Sequence, residues 1–409
     1  MTTATLNATA PANPVPLKQD AAVIGLVGLA HGTSHFSHLL LAPLFPVFMR
    51  DFGLSYSDVG LLMSIFFVIS GSGQAMAGFV VDRIGARPVL FAAVGLFLLA
   101  ALAASQATGY GGLVLVAMLA GLGNAPFHPA DFTILNQRVS PARLGHAFSA
   151  HGLTGNLGWA LAPVFLVGIT ALADWRVAYY AAALLYVGVL GLLFWQRDKL
   201  RTEVALRHAD APKGAELAYL KLPVVWWCFA FFLLSTMTLA VVQSFAPSIL
   251  KAMHGVSVEA ATLTVSAYML CGALGMLVGG FVAAYGHSHR WSSDRVVAIS
   301  MSSGAVLLLV CATGWLGAVG TMAALAATGF AVGVGGPSRD MMIKKATPKG
   351  ATGRVYGTVY SGLDVGFAIS PLVFGTFMDR GWYALTLAGA AVVLAISVLA
   401  AVGVGRRTA

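Results

Sequence analysis

The sequence predicts an all-α membrane protein in which twelve transmembrane helices form two pseudo-symmetric six-helix bundles around a central cavity. Composition is the first reason: the chain is 58% hydrophobic and only 10% charged, with a mean hydropathy of +0.83. A soluble globular protein carries about 25% charged residues. The second reason is that apolar runs of about 20 residues, the length that crosses a bilayer, recur along the chain. The third is that the second six runs resemble the first six.

The twelve apolar runs predict one spanning helix each. They cover residues 22–49, 57–81, 88–107, 111–136, 146–172, 176–196, 221–249, 257–285, 294–313, 317–343, 353–378 and 382–404. Of the Lys and Arg residues, 19 fall on one predicted side of the membrane and 4 on the other, with Arg339 inside a helix. Because Lys and Arg collect on the cytoplasmic side, both termini are expected in the cytoplasm of a bacterial-type inner (plasma) membrane.

The polar stretch Arg197–Lys221 divides the chain into halves. We expect a disordered cytoplasmic tail over 1–21, a first bundle over 22–197, a cytoplasmic linker over 198–220 and a second bundle over 221–405. The tail lacks the basic start and cleavage site of a signal peptide. The net charge of +9 lies in short loops, which is typical of a cytoplasmic membrane face rather than of a nucleic-acid partner.

Matching residues show that the two halves are repeats. A shift of 208 residues places Pro129 on Pro337, Gly145 on Gly353, Asn156 on Asp364, Gly158 on Gly366 and Pro163 on Pro371. A shift of 202 places Gly78-Phe79-Val80 on Gly280-Phe281-Val282. Parallel repeats of six helices around a cavity are a known transporter architecture.

The loop between the second and third helices reads Gly78-Phe79-Val80-Val81-Asp82-Arg83-Ile84-Gly85-Ala86-Arg87. It resembles the G-x-x-x-D-R-x-G-R-R signature of the major facilitator superfamily, with Ala86 where a basic residue is common. Gly78 permits close helix approach and Gly85 a tight turn. Asp82, near Arg83, Arg87 and the N-terminus of the next helix, is expected to hold a contact that breaks when the conformation changes. These residues are the predicted conformational gate.

Within that superfamily, the chain resembles exporters of the fosmidomycin-resistance type. The resemblance rests on His31, on Phe127-His128-Pro129 and on Gly155-Asn156-Leu157-Gly158 followed by Pro163. It implies export. The chain departs from that pattern at Ala130 and at His35, where acidic or amide side chains are more usual, so the substrate is not carried over.

The superfamily resemblance implies that the first, fourth, seventh and tenth helices line the cavity. In the first of these helices, His31, His35 and His38 fall within about 60° of one face, and imidazole is costly in hydrocarbon. The predicted substrate-binding residues are His31, His35, His38, Asn124, His128, Gln243, Arg339 and Tyr360. The predicted proton-coupling residues are Asp131, Asp364 and His35.

Two arrangements are open for the guanidinium of Arg339. Asp131 and Arg339 are equivalent in the repeat, so one arrangement is an ion pair between the halves that acts as a gate. In the other, Arg339 pairs locally with Asp340 or Asp364 and receives an anionic substrate.

These features predict a secondary active transporter that moves a small organic solute, anionic or drug-like, by proton-coupled alternating access, with export (efflux) favoured. No G-x-x-x-x-G-K-[ST] sequence occurs, so the energy is expected from an ion gradient. The alternative is import of a transition-metal ion or metal complex by the histidines of the first helix. An intramembrane metalloenzyme is disfavoured, since no H-E-x-x-H occurs. We expect a monomer in the lipid bilayer with no cofactor, catalytic residue or resident metal, whose partners are the solute and protons.

Overall fold

The computed structural model describes residues 16–204, 215–286 and 292–408, and within these ranges all regular secondary structure is helical. The first half contains α1 (Leu17–His38), α2 (Phe45–Phe52), α3 (Tyr56–Ile84), α4 (Ala86–Ser105), α5 (Tyr110–Asn124), α6 (Phe127–Arg138), α7 (Leu144–Leu172) and α8 (Trp175–Trp195). The second half contains α9 (Pro223–His254), α10 (Val258–Gly286), α11 (Ser293–Ala312), α12 (Gly317–Ala346), α13 (Thr352–Asp379) and α14 (Tyr383–Thr408).

Eleven crossings among the described residues are long and apolar enough to span a bilayer, with α5 and α6 together forming one of them. The twelfth crossing is α1, which is less apolar because its second half carries three histidines with serines and a threonine. Those side chains are buried in the protein, so α1 does not present them to lipid. The predicted fold class is therefore confirmed.

The first helix starts earlier and ends earlier than predicted. It begins at Leu17, inside the predicted tail 1–21, and the Asp20 carboxylate in its first turn accepts hydrogen bonds from Ser140 and from Arg143, the latter at 2.7 Å. It ends at His38 rather than at residue 49. Pro43 and Pro46 lack the N–H that a continuous helix needs, so a short 3-10 turn and α2 follow instead. Residues 1–15 lie outside the described residues.

The predicted fourth helix is broken in the middle of the membrane. It stops after Asn124 and resumes at Phe127, because Pro126 supplies no backbone N–H for the helix. Asn124 and His128 stand on either side of the break, and both are buried in the protein interior. Irregular backbone at membrane depth is tolerated when protein surrounds it, and it is typical of binding sites.

The predicted linker 198–220 packs onto both halves at its described ends. Near its start, Thr202 accepts a hydrogen bond from the backbone N–H of Ala86 at 2.9 Å. Near its end, the Tyr219 hydroxyl lies 2.9 Å from that of Thr358. Residues 205–214 of the linker are outside the described residues.

The halves meet along two seams. We call the packing of α3 on α13 the α3/α13 seam and that of α7 on α10 the α7/α10 seam. A Cβ added to Gly353 would lie 2.6 Å from the carbonyl oxygen of Gly78, and one added to Gly145 would lie 2.9 Å from the backbone nitrogen of Ala284. Both contacts lie at the end of the bundle where α1 begins and α14 finishes, which we call the terminal end. The seams are therefore shut there.

Candidate functional site

A cavity of about 160 Å³ lies between the two halves. Its first-half wall contains four imidazoles, those of His31, His35, His128 and His151, together with Asn156 and Trp159. Its second-half wall contains Phe232, Arg339, Asp340 and Tyr360. The cavity thus brings together five of the eight predicted substrate-binding residues: His31, His35, His128, Arg339 and Tyr360.

Asp131 holds two of the imidazoles. Its Oδ2 lies 3.1 Å from Nδ1 of His31 and 3.2 Å from Nε2 of His151, and the two rings stack with centroids 3.4 Å apart. The carboxylate is fully buried behind them. Because a carboxylate only accepts hydrogen bonds, it fixes Nδ1 of His31 as the protonated nitrogen and leaves Nε2 available.

His35 is buried, and neither ring nitrogen has a partner within hydrogen-bond geometry among the described residues; its contact with the backbone of Gly155 falls outside that geometry. Its ring lies over Gly155 of α7, where an added Cβ would come within 2.8 Å of Cε1. A glycine at 155 is therefore required for the imidazole to occupy this place. Unpaired buried polar atoms are rare, and each calls for an explanation.

A chain of hydrogen bonds connects the cavity to the α3/α13 seam. Nδ1 of His128 lies 2.6 Å from Oε1 of Gln74, and Nε2 of Gln74 donates to Oδ2 of Asp364 at 2.9 Å. Ser70 donates to the other oxygen of Asp364 at 3.5 Å. The His128 ring also stacks on Tyr360, with centroids 4.2 Å apart. Asp364 is thus a bridge between the halves and does not line the cavity.

Arg339 is paired locally. Its Nε and Nη2 donate to the two carboxylate oxygens of Asp340 at 2.9 and 3.2 Å, and Tyr360 donates to Asp340 at 2.7 Å. The guanidinium carbon lies 4.5 Å from the ring centre of Phe232. The expected ion pair between Asp131 and Arg339 is not formed, because histidines bind Asp131 and the adjacent carboxylate of Asp340 satisfies Arg339. The local pairing of the second predicted arrangement is therefore the one observed, with Asp340 as the partner.

Three predicted substrate-binding residues lie away from this cavity, because other partners take their polar atoms. Nε2 of His38 lies 2.9 Å from Oδ1 of Asn124, and Trp159 donates to Nδ1 of His38 at 3.4 Å. Nε2 of Gln243 lies 3.8 Å from the sulfur of Met269. In this conformation they position other side chains of the protein rather than facing the cavity.

The predicted gate contacts the opposite half. Asp82 accepts hydrogen bonds from the backbone N–H groups of Gly353 and Arg354 at 2.8 and 3.3 Å, and Nε of Arg354 lies 3.5 Å from it. The expected contact with the next helix is corrected: the partner is the N-terminus of α13, which the repeat brings against α3. An acid is favourable there because backbone N–H groups and the helix dipole face it.

The other members of the gate lie on the terminal end. Gly85 joins α3 to α4 with a φ of +87°, which favours glycine. Arg87 lies 3.8 Å from Asp198 at the start of the linker, and Arg83 is exposed in the last turn of α3. Arg87 therefore faces the linker rather than the acid contact.

Three residues of the site are absent from the predicted binding residues: Gln74, which contacts His128, and His151 and Trp159, which line the cavity. A neutral amide inside an apolar helix gives a weak signal alone. The repeat could have found it: a shift of 202 places Gln74 on Met276, and Met276 contacts Asn156, which is the repeat equivalent of Asp364.

Two helical bundles related as repeats, with a buried cavity between them whose wall carries imidazoles and a guanidinium, form an architecture that secondary transporters of the membrane share. The comparison of sequences then gives the family. The family model described as Major Facilitator Superfamily matches residues 27–309 and 233–408, so the chain belongs to the major facilitator superfamily. The predicted family is confirmed.

Individual relatives agree with this assignment. The hexuronate transporter of Bacillus subtilis (strain 168) is 24% identical over 384 residues, which cover 89% of each chain. The fosmidomycin resistance protein of Escherichia coli (strain K12) is 25% identical over 270 residues, covering 63% of this chain and 64% of that protein. Among solved structures, the transporter FucP in the outward conformation superposes with a TM-score of 0.73 at 15% identity, over 94% of this chain and 99% of that one.

Proposed function

We propose that this chain is a proton-coupled transporter of small organic anions. The observation that carries the proposal is Arg339, a guanidinium on the cavity wall inside a spanning helix. A charge at this depth is costly and is typical of a substrate or ion pathway. The pair with Asp340 uses Nε and Nη2, so Nη1 is the donor that a substrate carboxylate would use.

The remaining cavity wall suits a carboxylate with an apolar or ring-shaped body. Phe232, Tyr360 and Trp159 offer aromatic faces, and the four cavity imidazoles offer hydrogen-bond donors and acceptors. The name of the hexuronate transporter, which is similar over 89% of its length, denotes a carboxylate substrate and supports the same class here.

Asp364 is the proton site in this proposal. It is 4% exposed and, among the described residues, has Gln74 and Ser70 as partners and no cation. The titratable groups that face this region are His128 on α6, through Gln74, and Tyr360 one turn earlier on α13. From α9, Thr236 lies against Gly366, two residues beyond Asp364 on α13.

Protonation of Asp364 would link the proton to the motion of the halves. A buried carboxylate without a cation beside it is costly, and the neutral acid is less so. The neutral acid accepts a weaker hydrogen bond from Gln74 than the carboxylate does. Proton binding is therefore expected to weaken the α3/α13 seam and to favour opening of the terminal end.

Orientation and direction complete the proposal. The excess of Lys and Arg in the loops at the terminal end supports a cytoplasmic location for both termini in a bacterial inner membrane. The structure then represents the state that is shut towards the cytoplasm. The likeness to the fosmidomycin resistance protein supports export, so the anion would leave as protons enter.

Flux measurements in proteoliposomes test the proposal. The purified protein is reconstituted, and the fluxes of radiolabelled hexuronates and aromatic carboxylates are measured with and without a pH gradient of either sign. We expect at least one anion whose flux the gradient accelerates. Arg339→Ala should lower that flux about 10- to 100-fold, the loss of a charge-assisted hydrogen bond. Arg380→Ala, which removes an arginine that lies over Trp382, is the matched control and should change it less than about twofold.

Asp364→Asn separates the proton step from anion binding. The variant keeps an acceptor for Gln74 but cannot titrate, so anion–anion exchange should persist while acceleration by the pH gradient is lost. Anion flux equal to that of empty liposomes, or an equal response to the pH gradient in Asp364→Asn and the wild type, would contradict the proposal.

A further inference from the structure

We propose that His31, His35 and His128 form a binding site for a divalent transition-metal ion in the cavity. One ring nitrogen from each of the three lies within 4.8 Å of the others, and all three side chains are buried. The site goes beyond the anion transport proposed above and does not depend on it. It uses two positions one turn apart on α1 and one at the start of α6, next to the helix break.

The hydrogen bonds behind the imidazoles orient them as metal ligands. Metal-binding histidines usually donate the second ring N–H to a carboxylate or carbonyl oxygen, which fixes the tautomer. His31 does this with Nδ1 and Asp131 at 3.1 Å, and His128 with Nδ1 and Oε1 of Gln74 at 2.6 Å. Gln74 is itself oriented, because its Nε2 donates to Asp364. In both histidines Nε2 is therefore the nitrogen with a free lone pair.

His35 supplies the second, independent observation. It is 8% exposed, and neither ring nitrogen has a hydrogen-bond partner among the described residues, although it lines the cavity. A buried imidazole without partners destabilises the protein unless something binds it. A metal ion at this place would provide the missing partner.

Gly155 creates the space that an ion would need. A Cβ at this position would lie 2.9 Å from Nδ1 of His35 and 3.1 Å from Nε2 of His31. The two nitrogens thus face one small volume that any larger residue would fill. Nitrogens around a tetrahedral zinc ion are about 3.4 Å apart. Side-chain rotations that move the ring nitrogens by about an ångström would bring them to that separation.

A second group of possible ligands in the same region is less suitable. His31, Asp131 and His151 also lie close together, but each imidazole is already within hydrogen-bond distance of the Asp131 carboxylate, which is fully buried. This group fits the role of support for His31. Three neutral imidazoles suit Zn²⁺, Co²⁺, Ni²⁺ and Cu²⁺, and three protein ligands leave a coordination position open to the cavity.

Metal binding by the purified full-length protein tests the site. We would use protein without an affinity tag, in which His208, His287 and His289, which lie outside the described residues, are replaced by alanine. Zn²⁺ would be titrated by calorimetry and Co²⁺ by visible absorption. One ion per chain is expected, with the spectrum of a low-coordinate Co²⁺ site. His35→Ala should weaken binding at least about 100-fold, and Gln74→Leu about 10- to 100-fold, because the latter removes a group that orients His128.

His38→Ala is the matched control. His38 lies one turn beyond His35 on the same helix and its ring stacks on that of His35, with centroids 5.0 Å apart. Its nitrogens face Asn124 and Trp159, so His38→Ala removes no ligand of the proposed site, and Zn²⁺ affinity should stay within about threefold of that of the parent protein. His35→Leu, which keeps most of the buried volume and removes the unpaired nitrogens, should bind Zn²⁺ as weakly as His35→Ala and melt no lower than the parent protein without metal. This comparison separates loss of a ligand from loss of the fold.

Two results would overturn the site. One is the absence of Zn²⁺ or Co²⁺ binding with a Kd below about 10 μM in the parent protein. The other is equal binding by His35→Ala and His38→Ala, which would indicate adventitious ions elsewhere. Anion flux measured in proteoliposomes that contain a chelator distinguishes the two proposals. Flux without metal binding would reject the metal site alone, and metal binding without anion flux would reject the transport proposal alone.

Discussion

Gly78 and Gly353 meet in the α3/α13 seam, and their repeat equivalents, Gly280 and Gly145, lie in the α7/α10 seam. The backbone approach is close in both. The side chains differ, since Asp82 of the first seam is replaced by Ala284 in the second. One seam therefore carries an acid on a helix N-terminus at the terminal end, and the other relies on close packing there.

The same difference recurs deeper in the membrane. In the α3/α13 seam, Gln74 donates to the carboxylate of Asp364 at 2.9 Å. The equivalent residues of the α7/α10 seam are Met276 and Asn156, whose sulfur and amide nitrogen lie 3.6 Å apart. The repeat has thus kept the positions of the contacts and changed their strength. Both carboxylate contacts, those of Asp82 and Asp364, therefore lie in the α3/α13 seam, whereas Met276 and Asn156 form a neutral contact at the equivalent place in the α7/α10 seam.

The largest expected effect comes from removing the close approach itself. Gly78→Val would place side-chain carbon against the carbonyl oxygen of Gly353. Overpacking of about 3 kcal/mol would lower the ratio of shut to open molecules at the terminal end about 100-fold. Distances between spin labels at the exposed positions Ile84 and Lys349 would report this ratio. Gly95→Val, where nothing lies within 4 Å, is the control. A wild-type distance distribution in Gly78→Val would show that the glycine contact does not limit closure.

An intermediate effect is expected from the acid of the first seam. Asp82→Asn keeps an acceptor for the N–H of Gly353 but loses the charge that the α13 dipole and Arg354 stabilise, about 1 kcal/mol. The ratio of shut to open molecules should fall about fivefold by the same spin-label measurement. Asp198→Asn, which removes an exposed acid 3.8 Å from Arg87, should leave it unchanged. Equal populations in Asp82→Asn and wild type would remove the asymmetry between the seams at the terminal end.

The smallest effect tests the deeper pair by exchange. Gln74→Met gives the α3/α13 seam the residue that the other seam has at the equivalent position. Hydrogen bonds between membrane helices average about 0.6 kcal/mol, so the ratio of shut to open molecules should fall about threefold. Met276→Gln, which faces Asn156, should raise it by a similar factor. If the two substitutions shift the spin-label distances in the same direction, the seams do not differ in the way the repeat suggests.

Much of the fold could be predicted because hydropathy reports lipid contact directly. The start of α13 at Thr352 lies within one residue of its predicted position. The errors fall where backbone chemistry decides: Pro43, Pro46 and Pro126 interrupt runs that are uniformly apolar. Hydropathy does not detect a missing N–H, so both helices were expected to be continuous.

The site could be predicted in part. The face of α1 that carries His31 and His35 does line the cavity, since imidazole is excluded from lipid. His38 shares that face but meets Asn124, which the break in the fourth crossing moves towards it. The equivalence of Asp131 and Arg339 in the repeat suggested that they pair. Equivalent positions lie at similar depths in the two halves, but their side chains need not be close, and nearer partners bind both of them.

His128 has a consequence that extends through the whole molecule. His128 lines the cavity, and its Nδ1 connects to Asp364 through Gln74, so one imidazole belongs both to the cavity wall and to the α3/α13 seam. Thermodynamic linkage is reciprocal. Any ligand that binds His128 more tightly in one conformation must shift the conformational equilibrium, and that conformation must in turn raise the ligand's affinity by the same factor.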